Sequence, residues 1–131
     1  MPTPDVVSRS FTRDDLGDIR TMVANAATTA GVAADETDKL LIAVSEIATN
    51  AVLYAGGSAE ITVDVRADGV TVEVVDRGPG LPDDLNVQRP PSDAVGGRGL
   101  WMARLMCPDF TLMSSPDGVR VRMFAPSASA G

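Results

Sequence analysis

The stretch LLIAVSEIATNAVLYAGG, Leu40 to Gly57, constrains the fold more than any other part of the chain. Its apolar residues recur at helical spacing: Leu40, Leu41, Val44, Ile47, Ala48, Ala51, Val52 and Ala55. A helix this apolar has to be covered by another layer. On it, Ser45, Glu46, Thr49 and Asn50 fall within roughly 140° of arc, with Ile42 and Leu53 on the same side one turn before and after. A solvated face would be polar along its whole length; this one carries only a short polar island. In one reading Glu46 and Asn50 are a satisfied pair four residues apart, or sit at an edge open to water. In the other they face a ligand, with Glu46 as a proton acceptor and the Asn50 amide oxygen in the shell of a hard cation such as Mg²⁺.

The rest of the chain supplies a partner layer. Asp5 to Phe11 forms a first strand whose apolar content is Val6 and Val7. Thr12 and Asp15 make a capping-box-like start, Asp standing in for the usual Glu. The helix that follows runs to about Ala30 with Leu16, Ile19, Val23, Ala26, Ala27 and Ala30 inward, and Gly31 stops it. Asp35 caps the central helix. Glu60 to Arg66 alternates, with Ile61, Val63 and Val65 on one face. Ala67-Asp68-Gly69 turns the chain, and Val70 to Val75 returns it with Val70, Val72 and Val74 inward.

After Asp76-Arg77-Gly78-Pro79-Gly80 comes an aperiodic stretch, DDLNVQRPPSDAVGG, of a length usual for loops that are functional, such as a lid over a ligand, or disordered. Arg98 to Met106 forms a short helix stopped by Cys107-Pro108, with Trp101, Met102, Leu105 and Met106 as its core side. Phe110 to Ser114 and Val119 to Phe124 pair around Pro116-Asp117-Gly118. The tail APSASAG is too small and polar to pack. The expectation is one α+β domain, residues 1–125, with a disordered tail at 126–131. It is a two-layer sandwich, a mixed and mostly antiparallel sheet covered on one face by helices.

Composition narrows the function. The 131 residues suffice for a real core. A net charge of −7 argues against a nucleic-acid surface. The absence of histidine excludes His-based catalysis and phosphohistidine chemistry on this chain. Lys39 is the only lysine, and no P-loop signature is present. The lone Cys107 suits a reducing compartment and reads as a small buried hydrophobe, while Arg13 and Arg20 read as solvated. With no apolar run of bilayer length and no apolar signal core, a cytoplasmic location is expected.

Two glycine motifs complete the candidate site. Asp76-x-Gly78-x-Gly80 leaves a strand, where a carboxylate accepts from an exocyclic amine and glycines let a flat ring approach the backbone; an ordinary turn reads the same way. Gly96-Gly97-Arg98-Gly99-Leu100 opens a helix, where unpaired N–H groups suit phosphate oxygens and Arg98 adds a charge; a linker entering a helix also looks like this. Together with Glu46 and Asn50, the motifs offer a base, a cation ligand, an amine acceptor and phosphate donors in a fixed order.

SEIATNAV, VVDRGPGLP and GGRGLWMARLM resemble the N, G1 and G2 boxes of the Bergerat-fold (GHKL) ATPases. In this compact form they look like the bacterial anti-sigma factor serine/threonine kinases, over about residues 10 to 125. The resemblance implies ATP and Mg²⁺ as cofactors, Glu46 as general base, and Asn50 as the Mg²⁺ ligand. It also implies Asp76 on the adenine amine, Gly78 and Gly80 shaping its pocket, and Gly97, Arg98, Gly99 and Leu100 at the phosphates. The implied partners are a sigma factor, which is sequestered, and a STAS-type anti-anti-sigma protein, which is phosphorylated on serine or threonine. A homodimer is implied as well. The chain departs from the pattern at Leu53-Tyr54-Ala55, and at Gly118-Val119, where the family usually has Gly-Thr. The loss of that threonine favours the alternative, an inactive regulatory module that sequesters its partner without phosphotransfer.

Overall fold

Alternating side chains build the sheet. In the computed structural model, which describes residues 5–54, 58–78 and 97–128, five strands form one sheet: β1 (Asp5–Thr12), β2 (Ser58–Arg66), β3 (Gly69–Asp76), β4 (Phe110–Ser115) and β5 (Gly118–Pro126). Their order is β1-β2-β3-β5-β4, and all the pairings are antiparallel rather than mixed. The register sets Ile61 opposite Val74, Val63 opposite Val72 and Val65 opposite Val70. Val121, Met123 and Ala125 of β5 continue the same buried face. The opposite face is polar, with Glu73 held between Arg120 (3.9 Å) and Arg122 (3.5 Å). One face is therefore built for burial and the other for water.

Helices α1 (Leu16–Thr29), α2 (Ala34–Tyr54) and α3 (Gly97–Met106) supply the second layer. A 3₁₀ turn at Arg13–Asp15 leads into α1, where the Asp15 carboxylate accepts the Thr12 backbone N–H at 2.9 Å, as the capping pattern predicts. Gly31, at φ +76°, ends the helix in a left-handed conformation that residues with a side chain rarely adopt. The apolar stripe of α2, from Leu40 through Ala43, Val44, Ile47 and Ala48 to Ala51 and Val52, is buried against the sheet and the other helices. Removing a large buried side chain such as Leu40 from a stripe of this kind costs about 2–5 kcal/mol. No helix among the described residues is long and apolar enough to cross a membrane.

Several local expectations need correction. α2 begins at Ala34, and the first backbone bond runs from the Thr37 N–H to the Ala33 carbonyl (2.9 Å). Asp35 is thus inside the first turn, where its charge favours the helix dipole, and is not the cap. The first hairpin turns at Ala67-Asp68, and Gly69 already belongs to β3. In α3 the buried side chains are Leu100 and Ala103, followed by Cys107; Leu105 is exposed and Trp101 and Met102 are half-buried. α3 packs on α2 through a face on which Ala103 is small, and Cys107 beyond its end turns to the Phe124 carbonyl of β5.

The tail also packs further than expected. Pro126 closes β5, Ser127 is buried and donates its backbone N–H to the Asp68 carbonyl (2.9 Å), and the Ala128 N–H bonds to the Gly31 carbonyl (2.8 Å). Backbone bonds hold a segment whose side chains are too small to do so.

Cys107 is the buried small hydrophobe that its solitary occurrence suggests. Its Sγ–H donates to the Phe124 carbonyl at 3.3 Å, and burial pushes the thiol pKa up. The native thiol therefore resists disulfide reagents and labels only on unfolding. An unfolded thiol ionises at lower pH than the folded one. The stabilisation is complete below about pH 8.5 and is lost as the pH climbs through the raised folded value. Denaturation midpoints should accordingly fall in alkali more steeply for the wild type than for Cys107→Ala. Rapid labelling of the native protein would contradict this.

Candidate functional site

Strand parity decides where Asp76 points. It follows Val70, Val72 and Val74 at two-residue steps on β3, so its carboxylate lies on the helix-covered face, at the last residue of the strand and only 9% exposed. Its Oδ1 accepts the Gly78 N–H at 3.1 Å and the Val119 N–H at 3.3 Å. Two backbone donors fix the carboxylate at the end of the sheet and satisfy part of its acceptor capacity, leaving an acceptor suited to an amine or amide N–H. Gly118 brings β5 against Asp76 so closely that an ideal Cβ at position 118 would overlap the Asp76 carbonyl oxygen. Its φ of +145° is open to glycine alone in practice.

On α2, Ser45, Glu46, Thr49 and Asn50 are half-buried, while Ile42 and Leu53 are exposed. The polar island is therefore an accessible strip and not a pair sealed in the core. Glu46 and Ser45 line a hollow of about 430 Å³ with Asp38, Leu41 and Ile42 of α2 and Arg20 of α1. Arg20, exposed as expected, thus shares this hollow with Glu46. Sequence spacing gave no sign of that neighbour, because helix–helix pairing sets it.

Asp76 also borders a second hollow, of about 310 Å³, with Val75, Arg77, Met113 and the β4–β5 turn. Val75 and Met113, however, alternate to the polar face of the sheet, away from the helix-covered carboxylate. The structure thus joins Glu46 with Asn50 on one helix face, and Asp76 with Gly78, Gly118 and Val119 at the strand end. Among the described residues it does not place Glu46 and Asp76 in one hollow. α2 packs on both β3 and α3, which sets the pieces around a common layer.

α3 opens at Gly97, so the N–H groups of Gly97, Arg98 and Gly99 have no intrahelical partner. The Leu100 side chain is buried in the core, and as the fourth residue of the helix it stands behind these three N–H groups. Gly80, the long aperiodic stretch up to Gly96, and Gly56-Gly57 lie outside the described residues.

Among the described residues, no group of three or more Cys, Asp or Glu side chains is placed to hold a metal. A hard cation here would take an amide oxygen such as that of Asn50 and otherwise depend on water and a ligand's own oxygens. That donor set fits Mg²⁺, which keeps several waters and binds mainly through substrate phosphates.

Residues 10–125 match the profile of the histidine kinase-like ATPase domain. Among solved structures, the RsbU and RsbW domains of Rv1364c from Mycobacterium tuberculosis align with 95% of this chain and 33% of that one, at 17% identity and a TM-score of 0.67. The histidine kinase domain of the blue-light activated histidine kinase EL346 from Erythrobacter litoralis aligns with 88% of this chain and 66% of that one, at 19% identity and a TM-score of 0.59. The chain therefore spans a third of the first protein's length and just under two thirds of the second's. At these identities the likeness is one of fold. No curated protein matches the chain.

Proposed function

Because the chain belongs to the histidine kinase-like ATPase domain family, we propose that it binds ATP with Mg²⁺ and transfers the γ-phosphate to a serine or threonine of a STAS-type anti-anti-sigma protein, while sequestering a sigma factor when that partner is absent. The family match supports the ATPase fold and ATP as the nucleotide. The observation that carries the kinase reading is Glu46, half-exposed on α2 one turn before Asn50 and lining a surface hollow of about 430 Å³.

In this reading Asp76 accepts a hydrogen bond from the adenine amine, with Gly78 and Gly80 shaping the ring pocket. The first N–H groups of α3, at Gly97, Arg98 and Gly99, receive phosphate oxygens, favoured by the helix dipole, with Leu100 anchoring the helix behind them. Asn50 supplies an amide oxygen to Mg²⁺, and when bound the ion neutralises phosphate charge. Glu46 accepts the proton of the acceptor hydroxyl as that oxygen attacks the γ-phosphorus and ADP departs. Positioning and charge stabilisation supply most of the acceleration in such transfers.

The test is transfer of labelled γ-phosphate to purified STAS-domain proteins, with phosphoserine or phosphothreonine identified in the product. Label on a STAS serine or threonine supports the reading, and binding of a STAS protein without transfer refutes the kinase half of it. One observation favours the second reading, a sequestering module without turnover. Val119 brings its N–H to Asp76 but no hydroxyl to the site.

A further inference from the structure

Beside Asp76 the sheet presents two different surfaces. The Asp76 carboxylate lies on the helix-covered side, while Val75, Arg77, Arg120 and Met113 stand on the other, because neighbours along a strand alternate. The register sets Val75 beside Arg120 and Arg120 beside Met113, so one guanidinium rises between two apolar side chains. Gly118, the next residue of β5 on that face, has no side chain. The space over it, bordered by Arg77 and the β4–β5 turn, belongs to the hollow of about 310 Å³. The Arg77 and Arg120 side chains are 79% and 59% exposed, and each stands 3.9 Å from its carboxylate, Glu60 and Glu73 respectively. Exposed pairs at such distances hold an arginine weakly. Met113 is 65% exposed, the most exposed large hydrophobic residue described. Asp76 apart, Asp117 is the one acidic side chain lining the hollow among the described residues.

We infer that this hollow docks an acidic segment of a partner protein, one in which carboxylates flank an apolar side chain. Charge complementarity selects that occupant. The chain as a whole carries −7, and residues 13–54 hold seven carboxylates against three basic side chains, so most of the helix layer repels an acidic partner. On the outer face of the sheet Arg66, Arg77, Arg120 and Arg122 stand against Glu60, Asp64 and Glu73, and the excess is positive. The partner's carboxylates accept from Arg77 and Arg120 in place of the long contacts to Glu60 and Glu73, each guanidinium offering a planar fork of donors. The apolar side chain between them covers Val75 and Met113 and takes that surface out of water. Arginine with methionine is also the composition that interfaces favour. Because the hollow and the Asp76 carboxylate lie on opposite faces of the sheet, a partner here leaves the Asp76 site open. The inference does not depend on nucleotide binding or phosphotransfer, and either can fail without the other.

The experiment is an amide-resolved NMR titration of the full chain, with a soluble peptide carrying glutamate-leucine-glutamate at its centre as the probe. Saturable shifts confined to residues 75–77 and 113–120 are expected, and they should weaken as salt is added. Replacing both glutamates of the peptide by glutamine should weaken binding by at least about tenfold. Replacing its leucine by serine should weaken it by about fivefold or more. Arg77→Gln/Arg120→Gln should lose at least about tenfold for the glutamate peptide. Arg13→Gln/Arg104→Gln, which removes the same charge from the helix layer, should leave its affinity unchanged. Circular dichroism and melting of each variant confirm that the fold is retained. No shift at millimolar peptide, shifts centred on α1 or α2, equal binding of the glutamine peptide, or binding indifferent to Arg77 and Arg120 would each overturn the inference. So would concentration-dependent shifts at these residues without peptide, which would put a second copy of the chain in the hollow.

Discussion

Glu46→Ala is expected to lower phosphate transfer to an acceptor hydroxyl by about 10²–10⁴-fold, the range that a general base contributes. ATP affinity and melting temperature should stay near the wild-type values. The side chain is half-exposed on a face that α2 does not bury, so its truncation removes little packing. In the proposed reaction it acts on the acceptor hydroxyl and not on the nucleotide, so nucleotide binding should survive. Glu46→Gln preserves the shape and removes the base, and should be as defective as alanine in turnover. The split between lost turnover and kept affinity separates a base from a merely structural residue. Transfer at the wild-type rate in either well-folded variant would remove Glu46 from the chemistry.

Gly118→Ala is expected to have the largest structural effect. Its Cβ would overlap the Asp76 carbonyl oxygen and crowd the Arg77 backbone, and alanine does not tolerate a φ of +145°. The β4–β5 turn must swing away from β3, which breaks the 3.3 Å bond between the Val119 N–H and Asp76 Oδ1. The strain and the lost bond together cost about 2–4 kcal/mol, a fall in Tm of roughly 10 °C for a domain of this size. Nucleotide affinity should fall by at least about tenfold with it, since the carboxylate loses one of its two backbone anchors. Calorimetry of the variant reads the Tm and the affinity in parallel. Wild-type values for both would show that the close approach at Gly118 does not position Asp76.

These two predictions rest on features that differ in how legible they are in the chain. The grouping of Glu46 and Asn50 follows from spacing alone, because 100° per residue carries them to one side of a helix whose other side is apolar. That this side is half-buried and not sealed is set by packing. The direction of Asp76 follows just as directly from the two-residue step that buries Val70, Val72 and Val74. The contact of Gly118 with Asp76 does not. It joins residues far apart in sequence through the β3–β5 pairing, and Asp117-Gly118 on its own says only that the chain turns.

The same limit explains α3. Its buried stripe runs through Leu100, Ala103 and Cys107, and two of those three are too small to stand out against Trp101, Met102 and Leu105. In the tail, Ser127 and Ala128 are held by backbone bonds to Asp68 and Gly31, and side-chain character carries no record of such bonds. Hydrophobic period therefore recovers the layers and the helix and strand faces. Contacts made by glycines, small residues and main-chain atoms emerge only when the elements pack.

The central claim, that the strand-end carboxylate, the α2 strip and the α3 N-terminus serve one nucleotide, is tested most directly by calorimetric titration with ATP and ADP, with and without Mg²⁺. The account predicts saturable binding that Mg²⁺ strengthens, weakened by Asp76→Asn without Mg²⁺ and losing its Mg²⁺ dependence in Asn50→Ala. No binding of either nucleotide at millimolar concentration, by a protein that melts cooperatively, would contradict it.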